Sequence, residues 1–193
     1  MQDLLIFHRN LRIEDNAALY NASLNQDYSS VFIFDKEYWS QSDRSVNQLK
    51  FALDSLNELE LELKKFNVNL YVFEGSLRDF ASYMNHNHPN SNLHMNHTTE
   101  TEYFSRNLKA LKQNFSLSVN EYKDFGIQIT NQNRDCWASD WQNYMKSETY
   151  KIPLVSKKFK TMNLPKFSEF KNYVNNYSAH IQKGGTISGK GLL

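Results

Sequence analysis

The chain of 193 residues carries a formal net charge of +1, is 40% hydrophobic and contains one cysteine, Cys136. This length suits one domain of about 150 residues with an extension, and a single cysteine excludes an internal disulfide, which fits a reducing compartment. No apolar run approaches the ~18 residues of a membrane helix, and no secretory signal is visible, so we expect a cytoplasmic protein with no membrane partner.

The small net charge hides a difference between two parts of the chain. Residues 1–145 hold 13 Lys and Arg against 19 Asp and Glu, a net of −6, whereas residues 146–193 hold nine Lys and two Glu, a net of +7. A lysine-rich segment can bind nucleic acid without sequence preference, and it can equally be a solvated linker that folds onto an acidic body. We favour the linker.

Short apolar runs alternate with amphipathic segments along the first two thirds of the chain. The runs predict buried strands over residues 4–7, 30–35, 69–73, 92–95 and 115–122. The intervening segments predict helices over residues 17–24, 46–66, 76–84 and 101–114, the longest having apolar residues every three or four positions. Five alternations indicate an α/β fold with a five-stranded parallel, doubly wound, Rossmann-like sheet and helices on both faces.

A cluster of polar residues follows the first predicted strand. The segment 8–16 contains His8, Arg9, Asn10 and Arg12, and it ends at Asp15 and Asn16, which are good N-cap residues for the first helix. Because the carboxyl ends of the strands of an open α/β sheet are where ligands dock, we expect this cluster to lie at a functional edge.

Residues 7–16 also resemble the opening of photolyases and cryptochromes, Phe-Arg-x-Asp-Leu-Arg-x-x-Asp-Asn. The matching positions are Phe7, Leu11, Arg12, Asp15 and Asn16. His8 and Asn10 stand where the family has Arg and Asp, so one fixed positive and one fixed negative charge are absent. The residues alone allow a plainer interpretation, in which Arg12 and Asp15 pair with each other or cap the helix.

A second resemblance to the same family covers residues 134–145, where the family has Arg-Asp-Gly-Trp-Ala-x-x-Trp-x-x-x-Met. The matching positions are Arg134, Asp135, Trp137, Ala138, Trp141 and Met145. Helical spacing places Trp137, Trp141, Tyr144 and Met145 in one stripe, which we expect to pack against the sheet. Electron transfer through the tryptophans is the alternative, and we disfavour it because the family's relay tryptophans lie in its flavin domain.

The resemblance further implies a pocket for an antenna chromophore, either a folate or a deazaflavin. Residues 31–35 resemble a family segment that walls this pocket, and residues 96–100, with Arg106 in the following helix, resemble a second one. The implied cofactor-binding residues are Phe34, Asp35, Asn96, His97 and Glu100. Asn107 replaces a family Asp next to Arg106. The plainer interpretation of residues 98–102 is a capping box, with Thr98 or Thr99 as the cap and Glu102 reaching back.

Two further patterns are weaker. His86, His88, His94 and His97 cluster within twelve residues, but no cysteine accompanies them and their spacing matches no closed zinc pattern, so we predict no metal site. Residues 184–191 match the phosphate-binding loop pattern G-x-x-x-x-G-K-[ST] except at the last position. Gly191 stands there in place of the Ser or Thr whose hydroxyl would ligate magnesium. We therefore expect no nucleotide there.

The resemblance sets the expected domain organisation. Residues 1–130 would form the family's antenna-type α/β domain, with strand order 3-2-1-4-5, and residues 131–193 a helix and a basic interdomain linker that is truncated before the FAD-binding domain. In the family, reduced FAD in a helical domain passes an electron to a pyrimidine dimer in DNA under blue light.

That helical domain would have to be supplied in cis or in trans, so we expect no catalytic residue in this chain and no DNA repair by it alone. The alternative is a stand-alone or decayed α/β module that binds nucleic acid non-specifically through its basic tail.

Overall fold

Five strands pair in parallel at the centre of the protein. The computed structural model describes residues 2–98, 102–114, 118–125, 134–157 and 161–174. Its strands are β1 (Gln2–Phe7), β2 (Tyr28–Phe34), β3 (Leu70–Glu74), β4 (Ser91–Asn96) and β5 (Ser118–Tyr122). They are arranged in the order β3-β2-β1-β4-β5, which confirms both the predicted parallel sheet and the strand order that the resemblance implied.

The central strand β1 is buried on both faces, which explains why its sequence is an unbroken apolar run. Leu5 and Phe7 belong to the hydrophobic core on one side of the sheet, and Leu4 and Ile6 belong to the core on the other side. Since side chains alternate along a strand, each face of β1 contributes to a separate core.

Seven helices are described around the sheet. They are α1 (Ala17–Ser23), α2 (Lys36–Trp39), α3 (Val46–Lys64), α4 (Leu77–Asn87), α5 (Glu102–Asn114), α6 (Arg134–Met145) and α7 (Phe167–Val174). A capping box between Ser45 and Gln48 begins α3, and Asn67, with a φ of 58°, allows the chain to leave it. The short helix α2 was not predicted. Within the described ranges, no helix is both long and apolar enough to cross a bilayer.

The segment between α6 and α7 has little regular secondary structure, and its backbone lies along the sheet domain. We call residues 150–157 and 161–170 the strap. Its backbone is tied to the sheet domain at several points: the Tyr28 hydroxyl donates to the Leu154 carbonyl (2.7 Å), and the Ser156 amide donates to the Phe66 carbonyl (2.8 Å).

The strap also covers one edge of the sheet and completes a core. The amide of Val72 on the edge strand β3 donates to the Pro165 carbonyl at 2.9 Å, next to an isolated antiparallel bridge between Tyr71 and Lys166. Phe167 is fully buried, and its neighbour one turn along, Phe170, is 4% exposed. These contacts occupy part of the exposed edge of β3, which leaves less of it open to pairing with another chain.

Candidate functional site

The carboxyl ends of β1 and β2 open into a cavity of about 750 Å³, which we call the large cavity. Its walls are the end of β1 with the following residues 8–12, the end of β2, helix α2 and the first half of α3. Two further residues, Leu77 at the start of α4 and Asn107 in α5, complete it. The position is the edge at which open α/β sheets bind ligands.

Aromatic rings line the α2 and α3 side of the large cavity. Tyr38 and Trp39 meet edge to face with ring centroids 5.3 Å apart, and Phe51 of α3 lines the same space with 47% of its surface exposed. The guanidinium of Arg44, whose side chain is 8% exposed, lies 4.3 Å from the centre of the Tyr38 ring. This geometry is a cation–π contact, which holds a positive charge and an aromatic ring together in one wall.

Residues 8–16 are held in place by their own polar side chains. Asn16 caps α1, accepting from the Leu19 amide at 3.0 Å, and its side-chain amide donates to the Arg12 carbonyl at 2.9 Å. Asn96, at the end of β4, donates to the Asn16 side-chain oxygen (2.9 Å) and accepts from the Ala18 amide (3.0 Å). The prediction that Asn16 caps the helix is confirmed, and Asn96 supports the same cap.

A second, polar cavity of about 200 Å³ lies against the same residues, and we call it the small cavity. Its distinctive residue is Asp124, just after β5, whose side chain is 7% exposed. The Asp124 carboxylate pairs with the Arg12 guanidinium at 3.1 Å and accepts a hydrogen bond from the Asn10 side-chain amide. Arg12 therefore pairs with Asp124 and donates to backbone carbonyls at Glu14 and Asp15, rather than pairing with the Asp15 side chain.

Burial raises the pKa of the Asp124 carboxyl above its ordinary value. The nearby charge of Asp15 acts in the same direction, whereas the Arg12 charge and the Asn10 hydrogen bond act against it. The environment of Asp124 is thus unfavourable to negative charge overall, even with a cation beside it. Sequence reasoning missed this residue, because no motif surrounds it.

The five residues that the resemblance assigned to cofactor binding occupy different places. Asp35 lines the large cavity, while its carboxylate caps α2 by accepting from the amides of Glu37 and Tyr38. Asn96 and His97 line the small cavity, and Glu100 lies outside the described residues.

Phe34 and His97 also contact other side chains. Phe34 packs in the core against Phe170, with ring centroids 5.1 Å apart, and is not among the lining residues of either cavity. The Nε2 atom of His97 lies 3.1 Å from a carboxylate oxygen of Glu121. This contact holds the imidazole in the wall of the small cavity.

Two further motif residues lie on helices. Arg106 is exposed on α5 and is not among the lining residues of either cavity, and Arg134 is the first residue of α6. The stripe on α6 does not pack against the sheet as we expected, because Trp137, Trp141 and Met145 are 57%, 43% and 60% exposed.

His94 belongs to a buried network in the sheet rather than to a metal site. Its Nε2 lies 3.1 Å from Asp3 and its Nδ1 lies 2.9 Å from the Tyr122 hydroxyl. Burial alone would raise the pKa of Asp3, but hydrogen bonds from Asn25, Asn92 and His94 outweigh it and hold that pKa below its ordinary value. Across the described ranges, groups of three or more His, Cys, Asp or Glu that could hold a metal ion are absent.

Comparison with known proteins extends the resemblance. Residues 4–123 match the profile of the DNA photolyase family. The chain is 34% identical over 83 residues to Cryptochrome-1 of Aedes aegypti, covering 39% of this chain and 15% of the relative. It is 37% identical over 83 residues to the (6-4)DNA photolyase of Arabidopsis thaliana, and this match covers 37% of this chain and 15% of the relative.

Solved structures show the same fold at lower identity. An archaeal photolyase from Sulfolobus tokodaii with two FAD molecules superposes with a TM-score of 0.76 at 22% identity, covering all of this chain and 46% of that one. A cryptochrome from Synechocystis superposes with a TM-score of 0.60 at 16% identity, and the superposition covers 84% of this chain and 38% of the cryptochrome.

This chain thus spans less than half of these structural relatives and about a seventh of the curated ones. Since the family profile covers more than half of the chain, the sequence-based resemblance is confirmed: the chain belongs to the DNA photolyase family and contains its N-terminal α/β domain.

Proposed function

We propose that this α/β domain is a light-harvesting domain whose large cavity holds an antenna chromophore. The observation that carries the proposal is the cavity itself, about 750 Å³ at the carboxyl edge of a photolyase-family sheet. Cavities of about 300–1,000 Å³ that combine apolar walls with a few polar groups are typical small-molecule sites.

The walls suit a planar heteroaromatic ring. Trp39 and Phe51 offer aromatic surface, and the Arg44–Tyr38 contact places a positive charge beside it. Apolar and aromatic walls exclude water from a bound ring, and offset or edge-to-face contacts fix its orientation. In this role the residues bind and orient, and none of them transfers a proton or forms a covalent bond.

The chromophore is a folate or a deazaflavin, the two classes that the family resemblance implies. The Sulfolobus tokodaii photolyase, with its two FAD molecules, supports the idea that this fold accommodates a ring of flavin size. Of the implied binding residues, Asp35 lines the large cavity, where we place the chromophore, and His97 lines the neighbouring small cavity.

The repair chemistry belongs to a larger assembly. We propose that residues 1–130 are the antenna domain and residues 131–193 a helix and connector to a helical FAD-binding domain, supplied in cis or in trans. The complete protein would use blue light to repair pyrimidine dimers in DNA. The coverage of the relatives supports this organisation, because the chain matches less than half of each structural relative.

The alternative proposal, a nucleic-acid-binding module that uses a free basic tail, is weakened by the strap. Lys157 and Lys166 lie in backbone segments that are hydrogen-bonded to the α/β body, where the Lys157 amide donates to the Gln26 carbonyl at 2.9 Å. A tail that is tied down in this way has less freedom to follow a nucleic-acid backbone.

Blocking the cavity tests the proposal. Ala52 lines the large cavity from α3, whereas Leu61 is 63% exposed on the same helix. We expect the wild-type protein and Leu61→Trp to quench the fluorescence of an added chromophore saturably, and Ala52→Trp to weaken binding by at least about tenfold. The proposal would be overturned if the wild-type protein binds none of the three compounds folate, deazaflavin and flavin.

A further inference from the structure

A chain of hydrogen bonds links three ionisable side chains across the neighbouring strands β1, β4 and β5. The Nε2 atom of His94 lies 3.1 Å from an Asp3 carboxylate oxygen, and its Nδ1 atom lies 2.9 Å from the Tyr122 hydroxyl. Asp3 and His94 are 2% and 7% exposed, Tyr122 is partly exposed, and the three are not among the lining residues of either cavity. Apolar side chains would join the same strands with a smaller desolvation penalty, so packing alone does not account for this polar chain.

The direction of these hydrogen bonds follows from the charge of Asp3. Although burial raises the pKa of Asp3, hydrogen bonds from Asn25, Asn92 and His94 hold it below its ordinary value. The carboxylate is therefore ionised near neutral pH and can only accept hydrogen bonds. A neutral imidazole donates to it from Nε2, which leaves Nδ1 of His94 as the acceptor for the Tyr122 hydroxyl.

We propose that Tyr122 is a redox-active tyrosine that donates one electron to a photoexcited aromatic ring or another one-electron oxidant. The phenolic O–H bond breaks, the electron passes to the oxidant, and the proton moves to Nδ1 of His94. The products are a neutral tyrosyl radical, an imidazolium ion and the oxidant reduced by one electron. Return of the electron reverses both transfers, because the proton stays next to the phenol. This activity is separate from light harvesting, since the oxidant can also come from solution.

The surroundings of Tyr122 favour the coupled loss of an electron and a proton. Burial and the nearby charge of Asp3 raise the pKa of the Tyr122 hydroxyl, so the phenol keeps its proton until an electron leaves. An oxidised phenol is a strong acid, and a base at hydrogen-bond distance takes up its proton directly. The imidazolium that forms at His94 lies against the ionised Asp3, which stabilises its charge.

Two other tyrosine hydroxyls show what distinguishes Tyr122. The hydroxyl of Tyr28 donates to the Leu154 carbonyl at 2.7 Å, and that of Tyr83 donates to the Asn163 carbonyl at 3.3 Å. A backbone carbonyl accepts a hydrogen bond, but unlike an imidazole it does not take up a proton near neutral pH. Tyr83→Phe is thus the matched control for Tyr122→Phe.

The test generates the oxidant with a light flash. Tris(bipyridine)ruthenium and persulfate produce a one-electron oxidant in solution, and EPR spectroscopy follows the tyrosyl radical on the full chain. We expect Tyr122→Phe to remove most of this signal and Tyr83→Phe to leave it unchanged. His94→Asn keeps an oxygen that can accept from the hydroxyl but provides no base. It should slow radical formation at least about tenfold, since a positioned base contributes about 10²–10⁴-fold and water replaces part of it.

Two further readouts separate proton transfer from a merely structural role. Wild-type radical formation should slow in deuterated water, and added imidazole should restore part of the rate in His94→Asn. A spin trap followed by mass spectrometry locates the radical in the wild-type protein, so misfolding of a variant would not protect the proposal. It would be overturned by an unchanged signal in Tyr122→Phe, by an unchanged rate in His94→Asn, or by trapping at the exposed Tyr150, Trp137 or Trp141 in place of Tyr122.

Discussion

The side-chain amide of Asn96 donates to the side-chain oxygen of Asn16 at 2.9 Å, joining the end of β4 to the start of α1. The two residues belong to separate family-like segments, 80 positions apart. Together they satisfy the first amides of α1, those of Ala18 and Leu19. The motif at residues 7–16 therefore has a structural role: its hydrogen bonds fix the residues that line both cavities.

This relationship predicts that Asn96→Ala destabilises the protein. The change leaves the Ala18 amide without its acceptor and removes a donor to Asn16, which should cost about 1–3 kcal/mol. Chemical denaturation measures the loss, with Gln113→Ala at an exposed position of α5 as the control. A loss for Asn96→Ala no larger than for the control would show that the α1 cap does not depend on β4.

Restoring the family's acidic residue at position 10 should destabilise this protein. The side-chain amide of Asn10 donates a hydrogen bond to the Asp124 carboxylate, and Asn10→Asp would put a second carboxylate in its place. Like charges raise each other's pKa, so the folded state would hold protons more tightly than the unfolded state. Stability should therefore fall as the pH rises from 5 to 8, by about 1–2 kcal/mol relative to wild type at the upper end.

The double variant Asn10→Asp with Asp124→Asn checks the cause of that effect. It exchanges the acid and the amide and should recover most of the stability lost at pH 8. If the single variant is as stable as wild type at pH 8, position 10 is not electrostatically coupled to Asp124.

The lowered pKa of the Asp3 carboxyl predicts how the stability of the protein changes in acid. Because hydrogen bonds hold its pKa below the ordinary value of 3.8, the ionised form stabilises the folded state above that pH. This contribution is lost as the pH falls through 3.8 and towards the lower pKa of the folded state. Asp3→Asn should thus melt at a lower temperature than wild type at pH 7, and the difference should shrink at pH 3. A constant difference across this range would contradict the role of the Asp3 charge.

The strap should contribute to the stability of the α/β domain. Phe167 is fully buried in the core shared with α3, so Phe167→Ala should cost about 3–5 kcal/mol. Ile152 lies in the same strap with 61% of its surface exposed, and Ile152→Ala should cost less than about 0.5 kcal/mol. Equal, small effects in urea denaturation would indicate a strap that is not part of the folded unit.

The sequence predicted the sheet well because unbroken apolar runs and helical periodicity are local signals. Each predicted run overlaps a strand, with bounds that differ by one or two residues for β1 to β4. Residues 115–117 of the last predicted run lie outside the described residues. The strand order needed the family resemblance, since alternation alone does not specify it. Helix α2 was missed because four residues carry no periodicity, and Asp35 reveals it only through its capping bonds.

The sequence was less informative about the site. Asp124 meets Arg12 across 112 positions, and no local pattern signals a contact of that separation. Helical spacing correctly placed Trp137 and Trp141 on one stripe of α6, but spacing says nothing about which way the stripe faces, and it faces outward. Phe167 and Phe170 lay in a segment whose lysines suggested solvent, so their burial was not foreseen.

The most direct measurement for the light-harvesting account is a crystal structure of this chain grown with whichever of folate, deazaflavin and flavin binds it most tightly. The account predicts ring density in the large cavity, in contact with Trp39 and Phe51, at an occupancy of one ring per chain. A saturated crystal in which the ring lies elsewhere, with only ordered water between α2 and α3, would contradict it.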